Sequence, residues 1–522
     1  MSTLAGVRTP SPDTRSRGPA RWAVVTGIAT VALAGGTAAL VVASPLAAIA
    51  ALGLGLLAMA TVMRPAVATL FVVAALYSNA AVIAVRFHDV PFLVAAAVPA
   101  LLLPPLAAFV ILERRHVVIT SAFPWIGLFL FVQLVSGLVS ADTATAFDTV
   151  VIFLSEGIGL YFLLSNAVRT REAVISIVWI LLLVGAVLGG LTFYQDATGT
   201  YDDNYLGFAQ KSEAVIGVDQ TAFGDVTQVR LAGNIGEKNR YAQVLLMLVP
   251  LGLFMAIAER RTWRRAVALG ATALISLGVA LTFSRGAAVG FALLLVIMFA
   301  LGYVRPKHVV LVVIGVAVLF AAVPAYGERI ISLVAVSSSV SDTGITEADG
   351  AIQSRITEGL AAVLAFADHP IVGVGPGQFP GVYREYAELV GIRVLASDRQ
   401  AHNLFLGLAA ELGLAGLTIF LIILGVTLRD LARARRAAAK IDPMLSALST
   451  GFLLSIMTYL TTGIFLHMSF IRYFWMILAL AAATAIVTMA VARRGEAVDH
   501  ADGLAREGTA TPPTTLADGV GG

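Results

Sequence analysis

The sequence predicts an all-α polytopic membrane protein, and three observations carry that reading. Of the 522 residues 58% are hydrophobic and only 13% charged, with a mean hydropathy of +0.89. A soluble domain of this size needs far more charge to cover its surface. Apolar runs long enough to cross a bilayer recur along most of the chain. Lys and Arg also gather in alternate connections, as the positive-inside rule requires of a multi-pass protein.

Runs of roughly 20 apolar residues fall at about 22–43, 45–62, 65–85, 91–112, 122–140, 147–166 and 173–193, then at about 240–258, 266–283, 287–304, 309–324, 403–428, 446–466 and 471–491. About 12–14 transmembrane helices result. With the N-terminus inside, the cytoplasmic connections hold Arg8, Arg15, Arg17, Arg21, Arg64, Arg114, Arg115, Arg169 and Arg171. They also hold Arg260, Arg261, Arg264, Arg265, Arg305, Lys307, the cluster from Arg429 to Lys440, and Arg493, Arg494 and Arg506. Arg86, Arg285 and Arg472 are the exceptions among the short connections. The first 21 residues are Arg-rich and lack a signal-peptide core or cleavage site, so the first run reads as a retained helix and both termini as cytoplasmic.

The organisation that follows is a cytoplasmic segment 1–21, an N-terminal bundle 22–193 and an extracytoplasmic loop 194–239. Next come helices 240–324 with a Ser284-Arg285-Gly286 turn, a long extracytoplasmic loop 325–402, C-terminal helices 403–491 and a disordered cytoplasmic tail 492–522. Composition also excludes chemistries. A net charge of +3 without basic–aromatic interleaving argues against nucleic acid. Zero cysteines rule out disulfides, thiolate metal sites and cysteine nucleophiles.

Two outer stretches concentrate polar residues. In the long loop, Ile352, Ile356, Leu360, Val363, Leu364 and Ala367 form one helix face, with Asp349 as cap and His369-Pro370 as stop. Such an amphipathic helix would lie along the membrane surface and hold Arg355 at headgroup level. After it, Gly373 to Phe379 reads as a tight turn, with an anion-binding nest as the alternative, and its glycine spacing matches no dinucleotide or P-loop signature. The loop ends at His402-Asn403, the threshold of an apolar helix that carries a lone carboxylate, Glu411, followed by Gly413 and Gly416. Ionisable groups at a membrane boundary are costly unless paired or used.

Four pieces therefore stand in order on the outer face: Arg230-Leu-Ala-Gly-Asn with Glu237-Lys-Asn-Arg240; Thr282-Phe-Ser284-Arg285-Gly286; the Arg355 helix with HPIVGVGPGQF; and His402-Asn403 with Glu411-Leu-Gly413-Leu-Ala-Gly416. This ordered set resembles the O-antigen ligase/polymerase family of bacterial envelope glycan enzymes over roughly Arg230 to Gly416. One phrase departs from the family pattern, reading Glu237-Lys238-Asn239 where Asn-Pro-Asn is usual. The resemblance implies a GT-C-like glycosyltransferase in the bacterial cytoplasmic membrane, with an extracytoplasmic site and neither metal nor cofactor. Its donor would be a polyprenyl-diphosphate-linked saccharide and its acceptor a glycan, lipid or cell-wall hydroxyl. By match, Arg285 and Arg240 (or Arg230) would grip the diphosphate and His402 would handle the acceptor proton.

The residue inventory agrees with that chemistry. Breaking a sugar–diphosphate bond builds negative charge that a metal or fixed cations must stabilise, and guanidinium suits phosphate. The chain offers Asp202-Asp203 and His88-Asp89 outside, without metal-ligand spacing; a metal at His88-Asp89 is the minority alternative. Histidine suits proton removal near neutral pH. His116, His308 and His500 map inside; of the rest, His369 stops a helix, His467 ends a span, and His402 alone sits where polar loop meets helix. Arg230, Arg355 and Asn403 are the candidate substrate contacts, Asn403 serving equally well as a helix cap. A helical Glu411 would face away from His402 and pair with an arginine or a backbone group, and the partner of Glu156 is not legible. The rival reading is a transporter or lipid-linked glycan flippase, with Glu156, Glu411 and Arg472 along a midplane path and the Pro-rich 91–112 run as a broken helix.

Overall fold

The computed structural model describes residues 65–112, 114, 116–212, 230–303, 350–395, 398–469 and 471–508. The expected segment 1–21, the runs at 22–43, 45–62 and 309–324, the Asp349 cap and the tail from 509 lie outside the described residues. The described chain is helical apart from one short antiparallel pair, Gln210–Ser212 with Arg230–Gly233. Six described helices are long and apolar enough to cross a membrane: Thr143–Ala167, Arg171–Thr198, Lys238–Ala258, Leu404–Ala438, Pro443–Gly463 and Ile471–Ala497. A bent pair, Ala66–Tyr77 and Ala80–His88, meets at 55° and counts as a seventh if taken as one span. Phe123–Leu138 and Arg285–Ala300 are shorter apolar helices. This is an all-α polytopic membrane architecture.

Polar residues in the connections explain where helices start. The side chains of Asp142, Thr170, Glu237, Ser284, Asn403 and Asp442 each accept a bond from a first-turn backbone N–H, satisfying donors the helix leaves open. The Pro-rich run is broken into Phe92–Ala100, Leu103–Ala107 and a π-helical turn Ala108–Leu112. An aromatic cluster of Trp475, Phe129, Phe153 and Phe474 fills the centre of the bundle.

The helices have two chemically distinct ends. At one, Arg171 pairs with Asp442 at 2.5 Å, Arg169 donates to the His116 carbonyl at 3.0 Å, and Arg435 donates to the Tyr303 hydroxyl at 2.9 Å. At the other, Ser284 donates to Asn239 at 2.9 Å and Arg240 to the His467 carbonyl at 2.5 Å. The alternation expected from the sequence sorts these two sets in the same way.

Two carboxylates without sequence-legible partners have them here. Glu156 lies in a π-helical stretch, Phe153–Gly159, and its Oε1 accepts from Arg472 Nη1 at 3.0 Å. Arg472 Nη2 also donates to Asn79 Oδ1 at 2.6 Å, at the left-handed residue (φ 62°) where the bent pair turns. Asn79 in turn donates to the Asn234 carbonyl at 2.7 Å. This chain of polar groups joins four separate segments and leaves the buried Arg472 compensated. Glu411 accepts from the backbone N–H groups of Gly377 and Phe379, the backbone alternative raised from the sequence.

The loop helix is Gly350–Asp368. It buries Ser354, Thr357, Glu358, Ala361, Ala362 and Ala365, while Leu360, Val363 and Leu364 stay exposed. The sequence pattern picked out the large apolar stripe; the protein's own contacts use the small and polar face instead. Small residues permit the close approach of Phe379–Val390 and Leu404–Ala438, which this helix packs against.

The stretch after the loop helix then docks across a break in Leu404–Ala438. Gly413 adopts φ 62°, ψ −164°, a conformation essentially confined to glycine. Val374 N and Gly375 N donate to the carbonyls of Ala410 and Glu411 at 2.9 and 3.0 Å. On the far side of the break, Leu414 N and Ala415 N donate to Pro370 and Ile371 at 2.8 and 3.1 Å. A Cβ on Gly413 would lie 2.3 Å from the Ile371 carbonyl carbon, and one on Gly373 would lie 2.3 Å from that of Glu411. Both glycines are thus required by backbone-to-backbone approach. Gly413→Ala should cost about 2–4 kcal/mol, combining conformational strain with the clash. Gly190→Ala, where a Cβ meets nothing within 4 Å, should be neutral or slightly stabilising. Thermal melting of the two variants in detergent measures the difference.

Candidate functional site

The site is assembled from the four sequence pieces, each held by its own local chemistry. The first begins at Arg230, which opens the strand Arg230–Gly233 opposite Ser212. Gly233 turns the chain with φ 54°, and a Cβ there would meet the Tyr241 ring at 2.3 Å. Asn234 follows fully buried, donating to the Ser78 carbonyl at 2.8 Å. Glu237 then caps the next helix, accepting from Asn239 N at 2.9 Å and Arg240 N at 2.7 Å. An asparagine at this position would cap equally well; glutamate does so while adding a negative charge.

The second piece is joined directly to the first. Phe283 takes φ 51° in the turn, and Ser284 caps the helix Arg285–Ala300 through Ala287 N at 3.3 Å. The same hydroxyl donates to Asn239 Oδ1 at 2.9 Å. Arg285 therefore stands at a helix N-terminus, where backbone N–H groups and the helix dipole favour an anion.

The remaining two pieces bring His402 to a buried carboxylate. His402 has φ 45°, a left-handed conformation unusual for a residue with a side chain. Asn403 follows as the helix cap, accepting from Phe405 N at 3.0 Å and Leu406 N at 3.1 Å. His402 Nδ1 lies 3.0 Å from the Gln400 carbonyl and 2.8 Å from Glu358 Oε2. The Glu358 side chain is only 2% exposed, and its Oε1 is 3.3 Å from Arg399 Nε.

From this centre the contacts run in both directions. On one side, Glu358 acts electrostatically on Arg355, and Arg355 feels the opposing charge of Arg285 and the favourable one of Glu237. Desolvation, with the repulsion from Arg285, holds the Arg355 guanidinium below its usual range. On the other side the His402 and His467 rings meet edge to face, with centroids 5.5 Å apart. Beyond His467 lies Arg240, 2% exposed, whose Nη1 donates to Gln243 Oε1 at 2.7 Å and Nη2 to the His467 carbonyl at 2.5 Å. Arg240 Nε and His467 Nδ1 are buried without a hydrogen-bond partner.

Direct contacts thus join Glu358, His402, His467 and Arg240, and Arg355 is coupled electrostatically to Glu358 and to Arg285. Asn403 contributes as a cap, and Arg230 stands at the strand that leads into the Glu237 turn. His88, the alternative metal ligand, has its Nε2 3.0 Å from the Leu206 carbonyl, with Asp89 as the residue ending its helix. Sequence reasoning missed Glu358 and Arg399. The carboxylate and its partners are distant from one another in the chain, and no periodicity marks the pairing.

The family model described as O-Antigen ligase matches residues 270–421, a stretch that contains Arg285, Arg355, Glu358, Arg399 and His402. The match supports assignment to the O-antigen ligase/polymerase family and, broadly, a glycosyl-transferring ligase function. No curated protein matches the chain.

His467 gives the site a pH signature. Burial, then the charges of Arg240 and His402, push its imidazole down to about 3. An unfolded histidine titrates near pH 6.5, so between these values the unfolded chain binds a proton that the folded one refuses. The stability contributed by the neutral ring is complete above about pH 6.5 and is lost as pH falls toward 3. The ring is partly accessible, so the slope is at most about 1 kcal/mol per pH unit. His467→Gln should flatten the loss of stability between pH 6.5 and 5, measured by melting in detergent across that range.

Proposed function

We propose, from the chain's place in the O-antigen ligase/polymerase family, that it transfers a glycan from a polyprenyl-diphosphate carrier to an acceptor hydroxyl. The observation that carries this reading is His402, a helix-threshold imidazole in contact with the buried Glu358 and with His467, which Arg240 holds in turn. The acceptor oxygen attacks the anomeric carbon of the donor sugar. The bond from that carbon to the phosphate oxygen breaks, and the polyprenyl diphosphate leaves with the bonding electrons. The acceptor's proton passes to His402. A single displacement of this kind inverts the anomeric centre.

The cations have separate parts in this scheme. Arg285, at a helix N-terminus, and Arg355 beside it bind the diphosphate, and their mutual repulsion is relieved when an anion sits between them. Arg240 is committed to Gln243 and the His467 carbonyl, so it supports the site as a fixed positive charge, with Nε the one guanidinium nitrogen that has no hydrogen-bond partner. Arg230 completes the basic set from the strand side. Fixed guanidinium groups would thereby carry the charge that a divalent ion carries elsewhere. By the positive-inside rule the Arg171–Asp442 end faces the cytoplasm and this site faces outward, in a bacterial inner membrane. Asn403 serves this reading by aiming the preceding histidine rather than by touching substrate.

The transporter reading draws less support. Its three ionisable groups are held in local contacts: Glu156 with Arg472, and Glu411 with the Gly377 and Phe379 amides. The test is to give purified protein a labelled polyprenyl-diphosphate saccharide and an acceptor. His402→Ala and Arg285→Ala should each lower transfer by about 100-fold or more while melting as the parent does. Full activity in either would overturn the mechanism. A chelator should leave the rate unchanged, and a loss restored by metal would assign the charge stabilisation to an ion. A product ladder identifies a polymerase, a single adduct a ligase.

A further inference from the structure

We propose that Glu358 is the positioning residue of His402: it holds the imidazole with its proton on Nδ1, so that Nε2 is the atom that takes the acceptor's proton. The inference rests on the function proposed above and assigns that role to a residue the sequence pieces do not single out.

Two groups face His402 Nδ1, the Gln400 carbonyl at 3.0 Å and Glu358 Oε2 at 2.8 Å. Both are acceptors. A neutral imidazole carries one N–H and one lone pair, so a nitrogen between two acceptors carries the hydrogen. The lone pair then belongs to Nε2, and Glu358 stabilises the imidazolium that forms when Nε2 accepts a proton.

The burial of Glu358 argues that this contact is built rather than incidental. Its side chain is 2% exposed, and Oε2 has no aligned hydrogen-bond partner despite its proximity to Nδ1. A buried carboxylate oxygen in that condition costs stability unless a group is brought to it. The Nδ1–H bond already points at Gln400; a small ring rotation shares or transfers it to Glu358. Arg399 Nε, 3.3 Å from the other oxygen but not aligned for a hydrogen bond, favours the carboxylate's position by charge. The loop helix buries its small face against Leu404–Ala438, which fixes the backbone of Glu358 relative to the threshold where His402 sits. Glu358 touches no reacting atom in this arrangement and acts only through the ring.

The experiment compares wild type with Glu358→Gln and Glu358→Asp in purified, full-length protein. A glutamine amide can donate to Nδ1 and so favours the opposite tautomer. Glu358→Gln should reduce kcat by about 100-fold to 10,000-fold, the range of general-base and wrong-tautomer losses, with KM for the lipid-linked donor within about threefold. Glu358→Asp keeps a carboxylate and should restore much of the rate, to within about tenfold of wild type. Independently of turnover, 15N spectra of histidine-labelled protein, with His402→Gln to assign the resonance, should show Nδ1 protonated and Nε2 bare in wild type. A wild-type spectrum with the proton on Nε2 overturns the proposal. So does a folded Glu358→Gln protein with unchanged kcat, which would mean that the Gln400 carbonyl alone sets the tautomer. If Glu358→Gln fails to fold, Glu358→Asp decides: a change in KM for the donor as large as its change in kcat overturns the proposal. Wild-type protein that lacks transfer activity would refute the function while leaving the spectrum to judge the tautomer.

Discussion

The backbone docking across Gly413 is the constraint on which the site depends. Four hydrogen bonds bind residues 370–375 to both sides of a helix break, and the approach is close enough that neither Gly373 nor Gly413 can carry a Cβ. The docked turn follows the loop helix, and the broken helix follows His402. Fixing one against the other therefore fixes Glu358 relative to the imidazole. Net gains of order 1 kcal/mol per backbone bond are modest, but their geometry is unforgiving.

A second tier of polar contacts organises the cations. Ser284 to Asn239 ties the Arg285 turn to the helix that carries Arg240, and Arg240 ties that helix to the His467 loop. The Asn79–Arg472–Glu156 chain reaches the same region from the bundle core, through Asn234. Each of these side chains meets a partner from a distant segment, so the motif asparagines and serine serve the architecture while the arginines supply the charge. Glu237 illustrates the overlap, capping one helix and acting electrostatically on both Arg240 and Arg355.

Helix positions and the polar thresholds were readable from the sequence because they depend on local signals: apolar length, caps and glycines. Ser284, Asn403 and Glu237 stand where such signals put them. His402 was singled out by elimination among seven histidines, and the structure places it in contact with a buried carboxylate. The Glu358 contact was not, because its physics is tertiary: a carboxylate on the small-residue face of a helix, selected by the packing of another helix rather than by any repeat. For the same reason Leu360, Val363 and Leu364 marked the amphipathic stripe correctly but pointed away from the face that builds the site. The glycine run at 373–377 read as a tight turn, and the reasons for its glycines were tertiary: Gly373 lies against the Glu411 backbone, Gly375 against Ser140 and Gly377 against Thr149.

The burial of Arg240 also sorts the site's attraction for anions into two kinds. Mobile ions reach charges near solvent and damp them over about 8 Å at ordinary salt. They scarcely reach a guanidinium sealed beneath His467. Under the proposed function, an outward-facing site would thereby keep a constant share of its pull on the donor in fresh water and in brine alike.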